Sequence, residues 1–524
     1  MSPLSLCVSF LFVLTVSVAQ GRDIASNLHG IAFAAVTTED AQRAARWYSE
    51  FLGAKHLTDL SFSFYGDEHY YRFFQKEILE ARAQGIDPDR LGVPDISDNG
   101  NYEIRGEFVL FDNGLVQLIE FARRDTEEHI TYPRRIRLTG PGVRNAPQIC
   151  LWTKDDLDFN QFVHELEEKS IKAGYDKAIF NRAVKVKNEE ERRNAPIKDK
   201  GINVKEGPFA GLSFVYMKGP SGEQLELYKM VNHTRWHFGK EYCKRRGVTT
   251  AFLDNYKDNE YKKKAGLTGQ MWGLVQFGTH TDDLFGSVNF YSNVLGSQTM
   301  EYPMQAIDLK GDPFKNMLYQ KETLEAARLG IRPREFGILD VSANGGGRID
   351  YRFNLFDNYH VETLRYTDGP TMDYPSFPVA YNHSSLAYVG DMAAAFHVND
   401  NADFNQLVAD VERRAEELGF EGVKANRVID VRRLGEMVDL SEYSRPFTSG
   451  NLEGYNYVVM KGRSGEHIMF VQLRGPMGEK VKQAMLEYGA VSTAWPETNP
   501  WTYGGYDEFC SKYHNLDASP KEEL

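Results

Sequence analysis

The segment QKEILEARAQGIDPDRLGVPDISDNG, residues 75–100, returns as QKETLEAARLGIRPREFGILDVSANG at residues 320–345. The two copies are identical at 14 of 26 positions without a gap, and each is followed ten residues later by Phe-Asp-Asn, at 111–113 and 356–358. Agreement of this extent indicates a tandem duplication. Each half of the chain can therefore test the interpretation of the other.

An apolar strand and an amphipathic helix precede each copy of the repeated segment. In the first half they are LHGIAFAAV (28–36) and a helix ending in WYSEFLG (47–53), and in the second half GLVQFGTHTDD (273–283) and LFGSVNFYSNVLG (284–296). Two strands joined at Asp112-Asn113-Gly114, or at Asp357-Asn358-Tyr359, follow each copy. The order predicts a βαβββ module in which the repeated segment is a helical insertion.

A second module follows in each half. QICLWT (148–153), the helix FNQFVHELEEKSIKAG (159–174) and the hairpin LSFVYMKGPSGEQLELYKM (212–230) match residues 392–419 and YNYVVMKGRSGEHIMFVQL (455–473). We therefore predict an α+β fold of four βαβββ modules, paired into two half-barrel units. Pairing within each half is the expectation, and an exchange of modules between the halves, which would change the ligands that meet, stays open. The predicted boundaries are a signal peptide at 1–19, a first unit at 28–230 (modules 28–122 and 146–230), a linker at 231–269, a second unit at 271–473 (modules 271–366 and 386–473) and a tail at 474–524.

Composition and charge exclude several classes of protein. The chain has 524 residues, 42% of them hydrophobic, which is enough for several buried cores. A formal net charge of −13 argues against nonspecific nucleic-acid binding, which needs clustered Lys and Arg. After the first 19 residues no apolar run reaches the ~20 residues needed to span a bilayer, so no membrane span is expected.

The two ends of the chain indicate the secretory pathway. An apolar run from Leu4 to Val18, followed by Ala19, resembles a cleaved signal peptide. Lys521-Glu522-Glu523-Leu524 resembles a signal read by the retrieval receptor of the endoplasmic reticulum. Residence in the reticulum lumen and full secretion both stay open. In this setting Asn232 and Asn382, each in an Asn-x-Ser/Thr sequence, are expected glycosylation sites.

Three cysteines remain after removal of the signal peptide. Cys150 lies in an apolar strand, which suits a buried thiol, whereas Cys243 and Cys510 lie outside the repeated modules. We predict a Cys243–Cys510 disulfide, with two free thiols as the alternative.

The modules resemble the vicinal oxygen chelate superfamily, which includes glyoxalase I, extradiol dioxygenases and fosfomycin-resistance proteins. The resemblance is carried by the helix ends at 47–53 and 290–296 and by the hairpin GPSGEQLE at 219–226. It covers all four modules but not the linker, tail or helical insertions. It implies that paired modules form a U-shaped sheet whose first and fourth strands hold a divalent metal.

Carried over to this chain, the implied ligand positions form an incomplete set in each half. They are Phe33, Gln117, Gln148 and Glu226 in the first half, and Gln276, Glu362, Ala393 and Met469 in the second. His29 and His397 lie four residues from Phe33 and Ala393 on the same strand faces and are further candidates. The alternative is structural, with Gln117 and Gln148 hydrogen-bonded inside a cavity and both histidines buried.

The incomplete sets lead us to expect a secretory-pathway protein whose half-barrel cavities bind a small organic ligand, with catalysis absent or reduced. The first alternative is a metal-dependent lyase, isomerase or dioxygenase. It would use Glu226 or Glu362 as catalytic carboxylate and one divalent ion, Fe, Mn, Zn or Ni, held by Gln148 and Glu226 with His29 or by Gln276 and Glu362 with His397. The second alternative is a secreted acidic component of the extracellular matrix.

Overall fold

The computed structural model describes residues 24–65, 67–88, 93, 102–123, 147–206, 209–245, 271–300, 307–308, 312–330, 332, 348–367, 386, 389–431, 436, 440–492 and 510–511. The predicted signal peptide, the Asn382 sequon and the C-terminal tetrapeptide lie outside these residues. Within the described ranges, no helix has the length and apolar character needed to cross a membrane.

The first half of the chain forms two modules of strands and helices. The first consists of β1 (Leu28–Thr37), α1 (Ala41–Leu52), β2 (Lys55–His56), β3 (Phe62–Phe64), α2 (Asp67–Gln84), β4 (Tyr102–Leu110) and β5 (Leu115–Arg123). The second consists of β6 (Gln148–Thr153), α3 (Phe159–Lys172), α4 (Glu189–Arg193), β7 (Ile202–Asn203), β8 (Leu212–Lys218) and β9 (Gln224–Met230), followed by α5 (Asn232–Arg245).

The second half repeats this order. Its first module consists of β10 (Met271–His280), α6 (Leu284–Asn289), β11 (Gln298–Thr299), β12 (Ile307–Asp308), α7 (Asp312–Leu329), β13 (Arg348–Leu355) and β14 (His360–Thr367). The fourth module consists of β15 (Met392–Val398), α8 (Phe404–Glu417), β16 (Tyr455–Lys461) and β17 (His467–Leu473), followed by α9 (Gly475–Tyr488). The predicted α+β fold of four modules is confirmed.

Each of the two sheets joins modules from different halves of the chain. β1 pairs antiparallel with β15, and β10 pairs antiparallel with β6. The first and fourth modules form a sheet of order β16-β17-β15-β1-β5-β4-β2, with β3 beside β4, which we call the terminal half-barrel. The second and third modules form a sheet of order β11-β13-β14-β10-β6-β9-β8-β7, with β12 beside β13, which we call the central half-barrel.

The expected grouping of residues 28–230 and 271–473 into units is therefore wrong, because each sheet takes one module from each of them. Hydrophobic alternation identifies the strands of a module. It does not indicate which of the other three module-opening strands will pair with β1, because all four present similar edges. The expected linker at 231–269 also begins with the helix α5, and the tail begins with α9.

The helices that open the modules begin and end where the sequence predicts. An aspartate at each start accepts a hydrogen bond from the backbone N–H three residues later, which contributes about 1 kcal/mol to each helix. These caps are Asp40, Asp158, Asp283 and Asp403. Gly53 follows α1 with a φ of 77°, and Gly296 follows the π-helical turn Phe290–Val294 that continues α6, with a φ of 75°; both conformations favour glycine.

The motifs that carry the family resemblance join consecutive modules. The Tyr48 hydroxyl donates to Glu223 Oε1 at 3.0 Å, and the Tyr291 hydroxyl donates to Glu466 Oε1 at 2.8 Å. All four side chains are buried. These residues therefore hold the two modules of one half together, while the sheets join the two halves.

The asparagines that end the repeated stretch connect the two half-barrels. Leu274 N donates to Asn113 Oδ1 at 2.9 Å, so the hairpin of the terminal half-barrel is bound to the first strand of the third module. Ile31 N donates to Asn358 Oδ1 at 3.1 Å, which is the reciprocal contact. The same Asp-Asn turn thus serves in both halves as a contact between sheets.

The helix of each repeated segment is bound to a loop of another module. In the central half-barrel, Arg182 N donates to Gln320 Oε1 at 2.9 Å, and Gln320 Nε2 donates to Val184 O at 2.6 Å. We call these two bonds the glutamine clasp of α7. The equivalent clasp of α2 consists of Arg427 N to Gln75 Oε1 at 2.8 Å and Gln75 Nε2 to Ile429 O at 2.5 Å.

The disulfide prediction is confirmed. Cys243 in α5 is bonded to Cys510, and Cys150 is a free, buried cysteine. The disulfide connects the tail to the helix that follows the second module. The first sequon begins this helix, and its Thr234 hydroxyl is buried and donates to Ala210 O at 2.8 Å.

Candidate functional site

Four of the residues that the family resemblance marks as metal ligands project from one face of the central half-barrel. They come from four neighbouring strands, β9, β6, β10 and β14. Alternate residues of a strand face the same side of a sheet, and the pairing register places all four side chains on one side. They are Glu226, Gln148, Gln276 and Glu362.

These side chains form one hydrogen-bonded cluster around two carboxylates. Gln148 Nε2 donates to Glu226 Oε2 at 3.2 Å and to Glu362 Oε2 at 3.3 Å. Gln276 Nε2 donates to Glu362 Oε2 at 2.6 Å. The Cys150 thiol, two residues after Gln148 on the same strand, donates to Glu226 Oε2 at 3.0 Å. The sheet pairing thus brings together the Gln/Glu pairs of two modules.

Gly278 provides the space in which the cluster forms. It pairs with Gln148 across the β6–β10 seam and with Glu362 on β14. A Cβ atom at this position would lie 2.4 Å from Gln148 Cγ and 2.8 Å from its Nε2. The glycine therefore lets the Gln148 side chain cross the seam and reach Glu362.

The two carboxylates are buried without a neutralising cation. Glu226 and Glu362 are 3% and 6% exposed, and neither forms an ion pair with Lys or Arg in the described part of the chain. Burial raises the pKa of Glu362 to about 8. Burial, together with the charge of Glu362, raises the pKa of Glu226 well above its usual value. Charge on this pair is therefore costly unless a cation compensates it.

The residues of the cluster fit a divalent cation. Gln148 Oε1 is buried and has no hydrogen-bond partner among the described residues, so an unsatisfied carbonyl oxygen stands beside the two carboxylates. Within the same ranges, no group of three or more His, Cys, Asp or Glu side chains is placed to hold a metal. The amide oxygens must therefore complete any ligand set, and carboxylate and carbonyl donors suit hard ions such as Mn²⁺.

A cavity of about 250 Å³ opens onto the cluster. Glu226 and Glu362 line it, and α7 forms part of its wall through Phe314 and Leu318. The remaining aromatic lining comes from Phe209, Phe214, Tyr216, Tyr228, Tyr351 and Phe353. Its volume lies just below the ~300–1,000 Å³ typical of ligand sites, so it suits a small ligand. Phe314 and Leu318 lie in the first turns of α7, before the repeated segment begins at Gln320.

The described residues of the terminal half-barrel form no comparable cluster at the equivalent positions. Three of its four equivalent positions are buried apolar residues, and the fourth is Gln117, which is also buried. The Phe33 ring packs edge-on against Phe108, with centroids 5.7 Å apart, in the space that Gln276 occupies in the central half-barrel. The three apolar positions are Phe33, Ala393 and Met469.

The two candidate histidines lie together but away from the cluster. The rings of His29 and His397 are in edge contact on the terminal half-barrel, with centroids 5.7 Å apart. They line a separate polar cavity of about 410 Å³. The predicted sets that combine His29 with Gln148 and Glu226, or His397 with Gln276 and Glu362, are therefore wrong, because those sets draw on different sheets.

Sequence reasoning missed several residues of the site. The position of Cys150 two residues after Gln148 signals that both share a strand face, although its contact with Glu226 depends on the sheet pairing. His360 is not among the missed residues, because its place two residues before Glu362 marks it in the sequence as a neighbour on the same strand face. Tyr228 and Tyr242 carry no comparable local signal.

Comparison with solved structures gives matches over most of the chain at low identity. Glyoxalase I from Zea mays is 12% identical, with 87% of this chain and 96% of that chain covered and a TM-score of 0.36. A proposed dioxygenase from Bacillus subtilis is 8% identical, with coverages of 93% and 96% and a TM-score of 0.37. The Mn(II)-bound glyoxalase from Novosphingobium aromaticivorans is 10% identical, with coverages of 86% and 83% and a TM-score of 0.18. No family model and no curated protein matches the chain.

Proposed function

We propose that the central half-barrel is a metal-dependent lyase or isomerase site for a small, uncharged molecule with two adjacent oxygen atoms. The observation that carries this proposal is the cluster of Gln148, Glu226, Gln276 and Glu362 at the end of an apolar cavity. Incomplete ligand sets were the reason to expect weak or absent catalysis. The pairing of the second and third modules removes that reason.

The donor set favours proton-transfer chemistry over oxygen activation. A non-haem iron dioxygenase site typically uses two histidines and one carboxylate. Here the four candidate ligands are two carboxylates and two amides. His360, on the same strand face as Glu362, has its Nε2 3.0 Å from Gln276 Oε1, so it hydrogen-bonds a candidate ligand and is not one of the four. A divalent ion bound here would supply Lewis-acid stabilisation of negative charge on the substrate oxygens.

The protein's own residues bind the substrate and move its proton. The aromatic walls hold the apolar body of the substrate and exclude water. Both carboxylates line the cavity, so a carboxylate oxygen of Glu226 or Glu362 that faces the substrate can accept a proton from the carbon next to a carbonyl group. Burial raises the pKa of both groups in the absence of metal, which makes each a stronger proton acceptor than an exposed carboxylate.

The cavity also defines the charge of the substrate. Among its described lining residues, Glu206, Glu226 and Glu362 are the charged ones, so none is cationic. An anionic group buried against the aromatic walls would lack a partner and cost several kcal/mol. Phe209 and Tyr351, with ring centroids 5.3 Å apart, and Phe214 and Phe314, 6.0 Å apart, offer surfaces for a flat, uncharged body.

Metal content and proton exchange test the proposal together. We expect the purified full-length protein to hold about one divalent ion per chain by elemental analysis. The loaded protein should catalyse exchange of the α-proton of uncharged 2-hydroxyketones with solvent deuterium, followed by NMR. Loss of both properties in Glu226→Gln and Glu362→Gln, with an unchanged melting profile, would support the assignment. Equal exchange in wild type and both variants would contradict it.

A noncatalytic binding protein is the second candidate, favoured by the apolar cavity, which is present whether or not a metal binds. It predicts saturable binding of small aromatic molecules without turnover under any metal loading. Tryptophan or tyrosine fluorescence titration together with the exchange assay separates the two functions.

We also propose that the protein works in the secretory pathway. The Cys243–Cys510 disulfide supports this, because such bonds persist in oxidising compartments. A fluorescent fusion inserted after residue 19 that keeps Leu524 as the last residue distinguishes retention from secretion. Retention in the reticulum would also contradict the extracellular-matrix alternative.

A further inference from the structure

Behind Gln276, away from the cavity, two further polar side chains form a chain of hydrogen bonds. His360 Nε2 lies 3.0 Å from Gln276 Oε1, and the Tyr242 hydroxyl lies 3.1 Å from His360 Nδ1. The Tyr228 hydroxyl also donates to Gln276 Oε1 at 3.1 Å. His360 and Tyr242 are fully buried, and the rings of Phe238 and Phe353 surround the imidazole.

The orientation of the Gln276 amide determines which atom donates in each of these hydrogen bonds. Its carbonyl oxygen can only accept, so His360 Nε2 must carry the imidazole proton. Nδ1 is then an acceptor, and the Tyr242 hydroxyl donates to it. Gln276 Nε2 in turn donates to Glu362 Oε2 at 2.6 Å. All donors therefore point towards the carboxylate, the direction that suits a site without a cation.

A cation beside Glu362 requires the opposite direction, because it attracts the amide oxygen and repels the amide N–H groups. The residues behind Gln276 can accommodate that reversal, since a hydroxyl and a neutral imidazole each donate at one moment and accept at another. With Gln276 turned over, its Nε2 would donate to His360 Nε2, and His360 Nδ1–H would donate to the Tyr242 oxygen. The imidazole carries one proton in both arrangements, so the change is a tautomer exchange without net proton uptake.

The terminal half-barrel supplies an internal control. Phe33 pairs with Leu115 in the same register in which Gln276 pairs with His360. Met485 is the eleventh residue of α9, as Tyr242 is the eleventh residue of α5. In the terminal half-barrel the ligand position holds the apolar Phe33, and the positions equivalent to His360 and Tyr242 hold the apolar residues Leu115 and Met485. If His360 and Tyr242 served only to pack the core, apolar residues could replace them as they do in the terminal half-barrel. Their presence beside Gln276 therefore indicates a role connected with that glutamine.

We propose that His360 and Tyr242 are positioning residues that set which end of the Gln276 amide faces the metal site, and that the His360 tautomer changes when the site is loaded. This inference rests on the proposed function of the central half-barrel, since it concerns the orientation of a ligand there. Neither residue is expected to touch the substrate.

Zinc binding to the full-length protein tests the proposal. His360→Leu should weaken Zn²⁺ affinity by 10- to 100-fold, as loss of a residue that orients a metal ligand typically does. His360→Gln, whose amide can both donate and accept, should restore most of the affinity. Tyr242→Phe should fall between the two. Affinities come from competition with a chromophoric chelator, and Leu115→Ala in the terminal half-barrel is the matched control.

A spectroscopic readout separates positioning from simple packing. In protein labelled with ¹⁵N-histidine, the His360 signals, assigned by their absence in His360→Gln, should show the Nε2–H tautomer without metal and the Nδ1–H tautomer with Zn²⁺. An unchanged tautomer at saturation, or wild-type affinity in His360→Leu, would overturn the proposal and leave the proposed function standing. Failure of the wild-type protein to bind Zn²⁺ at all would overturn both.

Discussion

Gln148 Nε2 lies 3.3 Å from Glu362 Oε2, although the two residues are 214 positions apart. The contact crosses the seam between β6 and β10, where modules from different halves of the chain meet. Each module of the central half-barrel contributes one glutamine and one glutamate. The site therefore exists only because the second module pairs with the third.

The glutamates should determine metal content. Replacing Glu362 or Glu226 with glutamine removes one of two buried carboxylates, so we expect bound metal to fall at least tenfold. Elemental analysis after dialysis against a weak chelator measures this. Gln117→Ala is the control, because Gln117 holds the position in the terminal half-barrel that Glu362 holds in the central one. An equal loss in Gln117→Ala would show that the effect is not specific to the central site.

The metal-free protein should lose stability as the pH rises. Glu362 has its pKa raised by burial from 4.5 to about 8. A carboxyl group with a raised pKa in the folded state contributes stability that is complete below pH 4.5 and is lost as the pH rises through 8. The melting temperature after chelation should therefore decrease between pH 5 and 8.

The same measurement on Glu362→Gln and with added metal distinguishes the source of this loss. The uncharged amide in Glu362→Gln should flatten the pH dependence, and Zn²⁺ should raise the melting temperature most at the alkaline end, where Glu362 ionises and lacks a cation. A decrease of the same size in wild type and variant would assign it to other groups.

The module fold could be predicted from the sequence because its signals are local. Asp40 and Gly53 mark the ends of a helix, and Asp112-Asn113-Gly114 marks a hairpin turn. The grouping of modules could not be predicted, because β1, β6, β10 and β15 present similar strand edges. The incomplete ligand sets followed directly from that error. Gln148 and Glu226 were assigned correctly to one module, but their partners were sought in the first module instead of the third.

Adding a side chain at Gly278 should displace Gln148. A Cβ there would lie 2.4 Å from Gln148 Cγ, closer than side chains approach one another. We expect Gly278→Ala to lower metal affinity several-fold and to destabilise the fold by ~1–3 kcal/mol through overpacking. Gly422→Ala is a suitable control, since nothing lies within 4 Å of its added Cβ. Wild-type metal affinity in Gly278→Ala would show that Gln148 is not required for binding.

The two glutamine clasps allow stability to be separated from function. Gln320 and Gln75 make equivalent hydrogen bonds in the two half-barrels, and each replacement by alanine leaves one buried backbone N–H, of Arg182 or Arg427, without its partner. Both variants should lose ~1–3 kcal/mol of unfolding free energy, measured by urea denaturation. Of the two helices held by the clasps, α7 contributes described residues to the cavity of the central half-barrel, Phe314 and Leu318, and α2 contributes none.

Gln320→Ala should therefore weaken binding of small aromatic ligands and raise the KM of any exchange reaction, because it loosens the cavity wall. Gln75→Ala should leave both unchanged at matched stability, because α2 belongs to the half-barrel in which Phe33 fills the equivalent space. Fluorescence titration of both variants with one uncharged aromatic ligand makes the comparison. Equal weakening in the two variants would mean that the repeated helix acts on ligand binding only through global stability, and not as a wall of the central site.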